Sequence, residues 1–112
     1  MQNLINKLVQ EPEQVSFKEV IDVIEKHYDY VGSDFSNGTL HNDKGTNEGS
    51  CKIFYFAKLN NLSEQQTLAC FGDYYRKDVL QNAEGNDHGN IRNFMKTGWA
   101  GVTFDSIPLI VK

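Results

Sequence analysis

Cysteine is scarce in this chain: Cys51 and Cys70 are the only two in 112 residues, and they form no Cys-x-x-Cys motif. With three scattered histidines they make a poor zinc framework. Nothing places the chain in an oxidising compartment, so both are expected as reduced thiols. The N-terminus lacks a charged-then-apolar signal peptide, and no apolar run is long enough to span a bilayer. No membrane partner is expected. Without secretion, the glycosylation tripeptides Asn37-Gly38-Thr39 and Asn61-Leu62-Ser63 read as chance matches in turns. Cationic charge is also lacking. Eleven basic residues face 15 acidic ones, for a net charge of −4. Residues 1–56 carry nine acidic and five basic side chains, and residues 57–112 carry six of each. A nucleic-acid binder concentrates cations to displace counterions from phosphate, so no nucleic-acid partner is expected. Linkers, repeats and low-complexity segments are missing too. The reading is therefore one compact domain over residues 1–112, acting as a monomer.

Rings are what the chain has. Seven Phe, five Tyr and one Trp carry enough apolar surface for a single core at this size. Leu4, Ile5, Leu8 and Val9 recur at helical spacing, and Pro12 stops that helix. Ser16 with Glu19 is a capping box, and Val15 with Val20 fits a hydrophobic staple. Phe17, Val20, Ile21, Ile24 and Tyr28 would then line one face of a second helix. The run from Tyr30-Val31 to Phe35 is strand-like. Asn37-Gly38 predicts a two-residue hairpin turn, which would pair Ser36 with Thr39, Phe35 with Leu40 and Asp34 with His41. Residues 42–49 read as a loop. The stretch 50–60 reads as a buried helix, capped by Ser50. Ser63 with Gln66 opens another helix carrying Leu68, Phe71 and Tyr75, and Asp78-Val79-Leu80 looks like a short further turn. Asp87 is placed to cap a helix whose inward stripe is His88, Ile91, Phe94 and Met95, with Gly98 as its left-handed C-cap. Val102–Phe104 and Leu109–Val111 read as a final hairpin. About five helices with two short antiparallel hairpins make an α+β fold.

Few residues point to chemistry. A cysteine in a first helical turn is a candidate thiolate. Cys51 with His88 as base and Asn90 or Asn93 as orienting group would follow the order of Cys/His hydrolases or transferases. The plainer reading of Cys51 is a small buried side chain. Arg76 could clamp a carboxylate or phosphate, or hold a helix end. Arg92, Asn93 and Lys96 fall between the apolar positions of their helix and are expected on an exposed side, where Arg92 and Asn93 could contact a partner or pair with Glu84 or Asp87. Trp99 reads as a plug closing that helix, beside the same surface. Asp34, Asp43, Glu48 and Asp87 could gather around a hard cation, but no EF-hand spacing is present and the case rests on composition alone, so no metal or cofactor is expected. The partner is read as an unidentified protein or small molecule.

Three long runs carry a wider likeness. They are Gly49-Ser50-Cys51-Lys52, the segment from Gln66 through Cys70-Phe71-Gly72-Asp73 to Arg76, and the segment from Asp87-His88-Gly89-Asn90 through Trp99 to Gly101. Together they resemble the HopJ family, with the likeness extending over nearly the whole chain. The resemblance implies a small stand-alone bacterial protein assigned to the effectors of Gram-negative type III secretion. It implies no catalytic residue set. A type III substrate presents an unfolded polar leader, whereas here the apolar pattern starts by Leu4. Residence in the bacterial cytoplasm is therefore expected, with delivery into a host cell as the alternative.

Overall fold

Two capping boxes form as the sequence implies. In the computed structural model, which describes residues 1–112, Ser16 and Glu19 exchange side-chain and backbone bonds at the start of α2 (Phe17–His27). Ser63 and Gln66 do the same for α4 (Glu64–Ala69). Each box satisfies two N–H groups that a helix start leaves open. Helix α1 (Gln2–Gln10) buries Leu4 and Leu8. Val15 and Val20 are both fully buried, as the staple requires. The aromatic run expected as a helix over 50–60 forms α3 (Glu48–Leu59), with Asn60 as its C-cap, at the buried centre of the molecule. Phe54 is wholly inaccessible. Its ring lies 5.0 Å from Phe94, 5.4 Å from Phe71, 6.3 Å from Phe35 and 6.5 Å from Trp99, centroid to centroid.

Five short strands make two antiparallel sheets. β1 (Tyr28–Tyr30) pairs with β5 (Leu109–Val111), with Tyr28 opposite Val111. β2 (Phe35–Asn37) lies between β3 (Leu40–Asn42) and β4 (Val102–Phe104). Helices and antiparallel sheets are segregated along the chain, so the α+β class holds.

Four local expectations are corrected. The last two strands do not form a hairpin with each other. β4 joins β2 and β5 joins β1, because each finds a strand edge left open by the first third of the chain. Tyr28 belongs to β1, not to α2. The first turn is shifted by one residue. Asn37 pairs with Leu40, Ser36 with His41 and Phe35 with Asn42, so Gly38-Thr39 form the loop. Gly38 takes a positive φ of 62°, as the first position of a glycine-led tight turn requires. Asn37 is withdrawn from the turn because its side chain is buried and bonded to Asn90. Phe35 and Leu40 still share one face, since partners two apart on each strand do. Finally, the helix expected to run from Ser63 past Tyr75 breaks at Gly72, which has φ +60°. A Cβ there would lie 2.6 Å from the Phe17 backbone nitrogen, so this corner packs directly against the start of α2. The chain resumes as a π-helical turn over Tyr74–Val79, in which the Leu80 amide reaches back to the Tyr75 carbonyl.

Helix α5 spans Gly89–Thr97. His88, not Asp87, is its N-cap residue and adopts a left-handed φ of 51°. Gly98 ends it with φ 59° and ψ −154°. Those angles belong to a glycine-only region, not to the left-handed helical basin of a common C-cap. The buried positions of α5 are Asn90, Ile91 and Phe94. Met95 is 45% exposed, so the inward stripe is rotated toward Asn90.

Candidate functional site

The first turns of α3 and α5 open on one cleft of about 420 Å³. Asn47, Gly49 and Ser50 contribute from α3, and His88, Gly89, Asn90 and Ile91 from α5. Phe17, Leu40, Phe71 and Tyr74 supply the apolar lining. Phe17 and Tyr74 meet edge to face at 5.1 Å. Neither helix start carries a side-chain cap bond, so its first N–H groups remain available as donors.

His88 is the cleft's imidazole. Its Nε2 lies 3.0 Å from Oδ2 of Asp78 on the π-helical turn, and its ring lies 5.2 Å from Tyr74. When the neutral ring donates from Nε2 to Asp78, Nδ1 is left as the acceptor. Asn47 and His88 are two of the three non-glycine residues with positive φ, and both line this cleft.

Beneath the cleft lies a buried amide network. Asn37 Nδ2 donates to the Asn90 carbonyl at 2.7 Å and to Asn90 Oδ1 at 3.1 Å. Asn42 Nδ2 donates to the same Oδ1 at 3.2 Å, while Asn90 Nδ2 returns a bond to Asn42 Oδ1 at 2.9 Å. Asn47 Nδ2 adds a 2.8 Å bond to Asn42 Oδ1, and Asn93 Nδ2 reaches the Asn37 carbonyl at 3.0 Å. The network fixes β2, β3 and the start of α3 against α5. Sequence reasoning did not identify Asn90 as its centre. The available signal was a polar residue four positions before Phe94, on the same helical face.

The other sequence candidates are dispersed. Cys51 is 1% exposed and does not line the His88 cleft. Burial pushes its thiol up to about 11, against the opposing effect of bonds from the Ser33 backbone and Tyr30 hydroxyl. Asn47 is the N-cap of α3 in place of Ser50. A thiol held protonated and enclosed lacks what a nucleophile needs, so the Cys51–His88 pairing is not favoured. Cys70 is likewise a free thiol, raised to about 12 by burial.

Arg76 lines a separate groove of about 430 Å³ with Leu8, Val9, Tyr75 and Leu80. Its guanidinium donates to the Pro12 and Val15 carbonyls, so it ties the π-helical turn to the segment before α2. Trp99 packs edge-on to Phe94 at 5.1 Å and donates from Nε1 to the Leu62 carbonyl at 3.3 Å, which agrees with a plug.

Arg92 makes the expected alternative pair with Asp87, but it is not on an exposed side. Its side chain is only 12% exposed. Nε donates to the Asp87 carbonyl at 2.6 Å, Nη1 to the Asn82 carbonyl at 3.0 Å, and Nη2 to Asp87 Oδ1 at 2.6 Å. Longer bonds reach the Ala83 and Asp78 carbonyls. The Arg92 hydrogen bond holds the Asp87 carboxyl below its usual range. Arg92 thus gathers the loop between the π-helical turn and α5. Arg92→Ala is expected to cost about 1.5–3 kcal/mol, the range for hydrogen bonds to a charged group. Amide exchange across residues 78–87 should accelerate. Arg92→Lys should recover little, since an ammonium lacks the planar fork. A melting temperature unchanged in Arg92→Ala would show that the clamp has no structural weight.

A solved structure shares this architecture. A crystal structure titled as that of unknown function protein VPA0580 superposes with a TM-score of 0.98 at 48% identity, covering 100% of this chain and 93% of that one. No curated protein matches. No helix is long and apolar enough to cross a membrane. Residues 1–109 match the family described as HopJ type III effector protein, and with nearly the full length matched, the chain belongs to the HopJ family.

Proposed function

We propose that this HopJ domain is a small binding module whose ligand sits in the His88 cleft. The observation that carries the reading is the concentration of left-handed, non-glycine backbone at that cleft, at Asn47 and His88. Such conformations cost free energy and persist where the surrounding structure imposes them, often at ligand sites. Other features fit. The volume, about 420 Å³, suits a small molecule. The Phe17 and Tyr74 rings offer a planar contact. Unused N–H groups at the two helix starts favour a carboxylate, and His88 Nδ1 accepts one further bond. The ligand class is a small planar carboxylate.

Anthranilate tests this. Its ring, carboxylate and amine match the three features. In a titration followed by amide resonances, Gly49, Ser50, Gly89 and Asn90 should shift together. His88→Ala and Tyr74→Ala should each weaken binding at least about tenfold, or about 1.4 kcal/mol. Shifts confined to the Arg76 groove, or none at all, would refute the assignment.

The module acts as a monomer without nucleic-acid or membrane partners, a reading supported by its net charge of −4. Bacterial cytoplasm is the preferred location. Leu4 and Leu8 of α1 are committed to the core, and would have to leave it for α1 to serve as an export signal. The family description supports delivery into a host cell instead. A secretion assay in strains with and without a working type III system separates the two.

A further inference from the structure

We propose a divalent-cation site formed by Asp34, His41 and Asp43 on the solvent side of the first hairpin. The sequence alone offered scattered acids and an expected cross-strand pair of Asp34 with His41. The folded hairpin groups two of those acids with the imidazole, while Glu48 and Asp87 stay outside the group. Asp34 precedes β2, His41 is central in β3 and Asp43 follows it. One ligand atom from each lies within 4.8 Å of the others. Strand alternation turns His41 away from the face that carries Leu40 and Asn42, so the group is separate from the amide network and from the His88 cleft.

The observed register builds this group. His41 stands opposite Ser36, and Ser36 Oγ lies 3.4 Å from His41 Nδ1. That contact orients the ring and leaves Nε2 toward Asp43, 3.3 Å from its Oδ1. Outer contacts of this kind fix ligand tautomers in metal sites. Asp34 Oδ1 accepts the Lys44 amide at 2.6 Å, which holds that carboxylate in place while Oδ2 stays available. One imidazole nitrogen and two carboxylates, with open positions for water, suit a first-row divalent ion such as Mn²⁺ or Zn²⁺. Three side-chain ligands are too few for a calcium cage of six to eight oxygens. The acidic surplus of residues 1–56 adds long-range attraction for a cation.

Mn²⁺ and Zn²⁺ added separately to the intact protein provide the test. Substoichiometric Mn²⁺ should broaden the resonances of Asp34, Ser36, His41 and Asp43 before any near His27 or His88. Calorimetric Zn²⁺ affinity should fall at least tenfold in His41→Ala, in Asp43→Asn and in Asp34→Asn. The last variant is decisive, because its Oδ1 still accepts the Lys44 amide and the loop keeps its shape. Equal affinity in Asp34→Asn and the parent would reduce the site to a surface histidine beside one acid and overturn the proposal. So would broadening spread evenly over other acidic residues.

Discussion

Phe54→Ala should unfold this domain more readily than any other single truncation considered, at a cost of about 3–5 kcal/mol. The ring is inaccessible to solvent and touches four other aromatic side chains from β2, the Gly72 corner, α5 and the turn after it. Its removal therefore loses transfer free energy and leaves a void that several separate elements would have to close together. For a domain of this size the melting temperature should fall by more than about 12 °C. Urea unfolding should show a lower midpoint with little change in slope. Phe54→Leu should recover much of the loss, because it restores apolar volume without the ring. A cost below about 1 kcal/mol, far under the range for a buried ring, would mean that these elements do not depend on a common centre.

Asn90→Ala is expected to cost about 2–4 kcal/mol, since burying unpaired polar groups costs about 1–3 kcal/mol each. The truncation removes the acceptor shared by Asn37 and Asn42 and the donor to Asn42. Asn37 Nδ2 keeps its bond to the Asn90 carbonyl, which limits the damage. Asn90→Asp separates bonding from packing, because it conserves shape. Its second oxygen would face Asn42 Oδ1 where a donor now stands. Burial should raise the pKa of the introduced carboxyl above its unfolded value. The variant should then be least stable above the folded-state pKa and recover as pH falls through it. If Asn90→Asp matches the parent at neutral pH, the amide network is dispensable.

These two positions also mark how far the sequence could be read. Phe54 lies in a run whose aromatic density announces a core helix, and the capping boxes at Ser16 and Ser63 are signals contained within four residues. Such features depend only on near neighbours. Asn37 fails for the opposite reason. Asn-Gly is a good turn pair in isolation, but the bond from Asn37 to Asn90 spans 53 positions, and that tertiary contact shifts the turn to Gly38-Thr39. The same limit explains β4 and β5. Each is legible as a strand, but its partner is chosen by edges far away in sequence. Arg92 looked free of folding duty because it lies between apolar positions, yet the loop before α5 needs its donors. Of the candidate site, His88 was legible as an unusual residue. Its neighbours Ser50, Tyr74 and Asp78 were not, because three separate segments meet there only after folding.

The pairing of β1 with β5 has a consequence for the order of events in time. Tyr28 and Val111 are direct partners, and the Lys112 amide closes on the His27 carbonyl. β1 has no other strand neighbour, so it stays unpaired until β5 has been synthesised and has left the ribosome. Closing so long a segment carries an entropic cost before any contact repays it. During translation α1 and α2 can form early, but the first sheet must be among the last structures completed. Traction applied at Lys112 would load that same pair of three-residue strands first, so forced unfolding from that side should begin at the element that folding finishes.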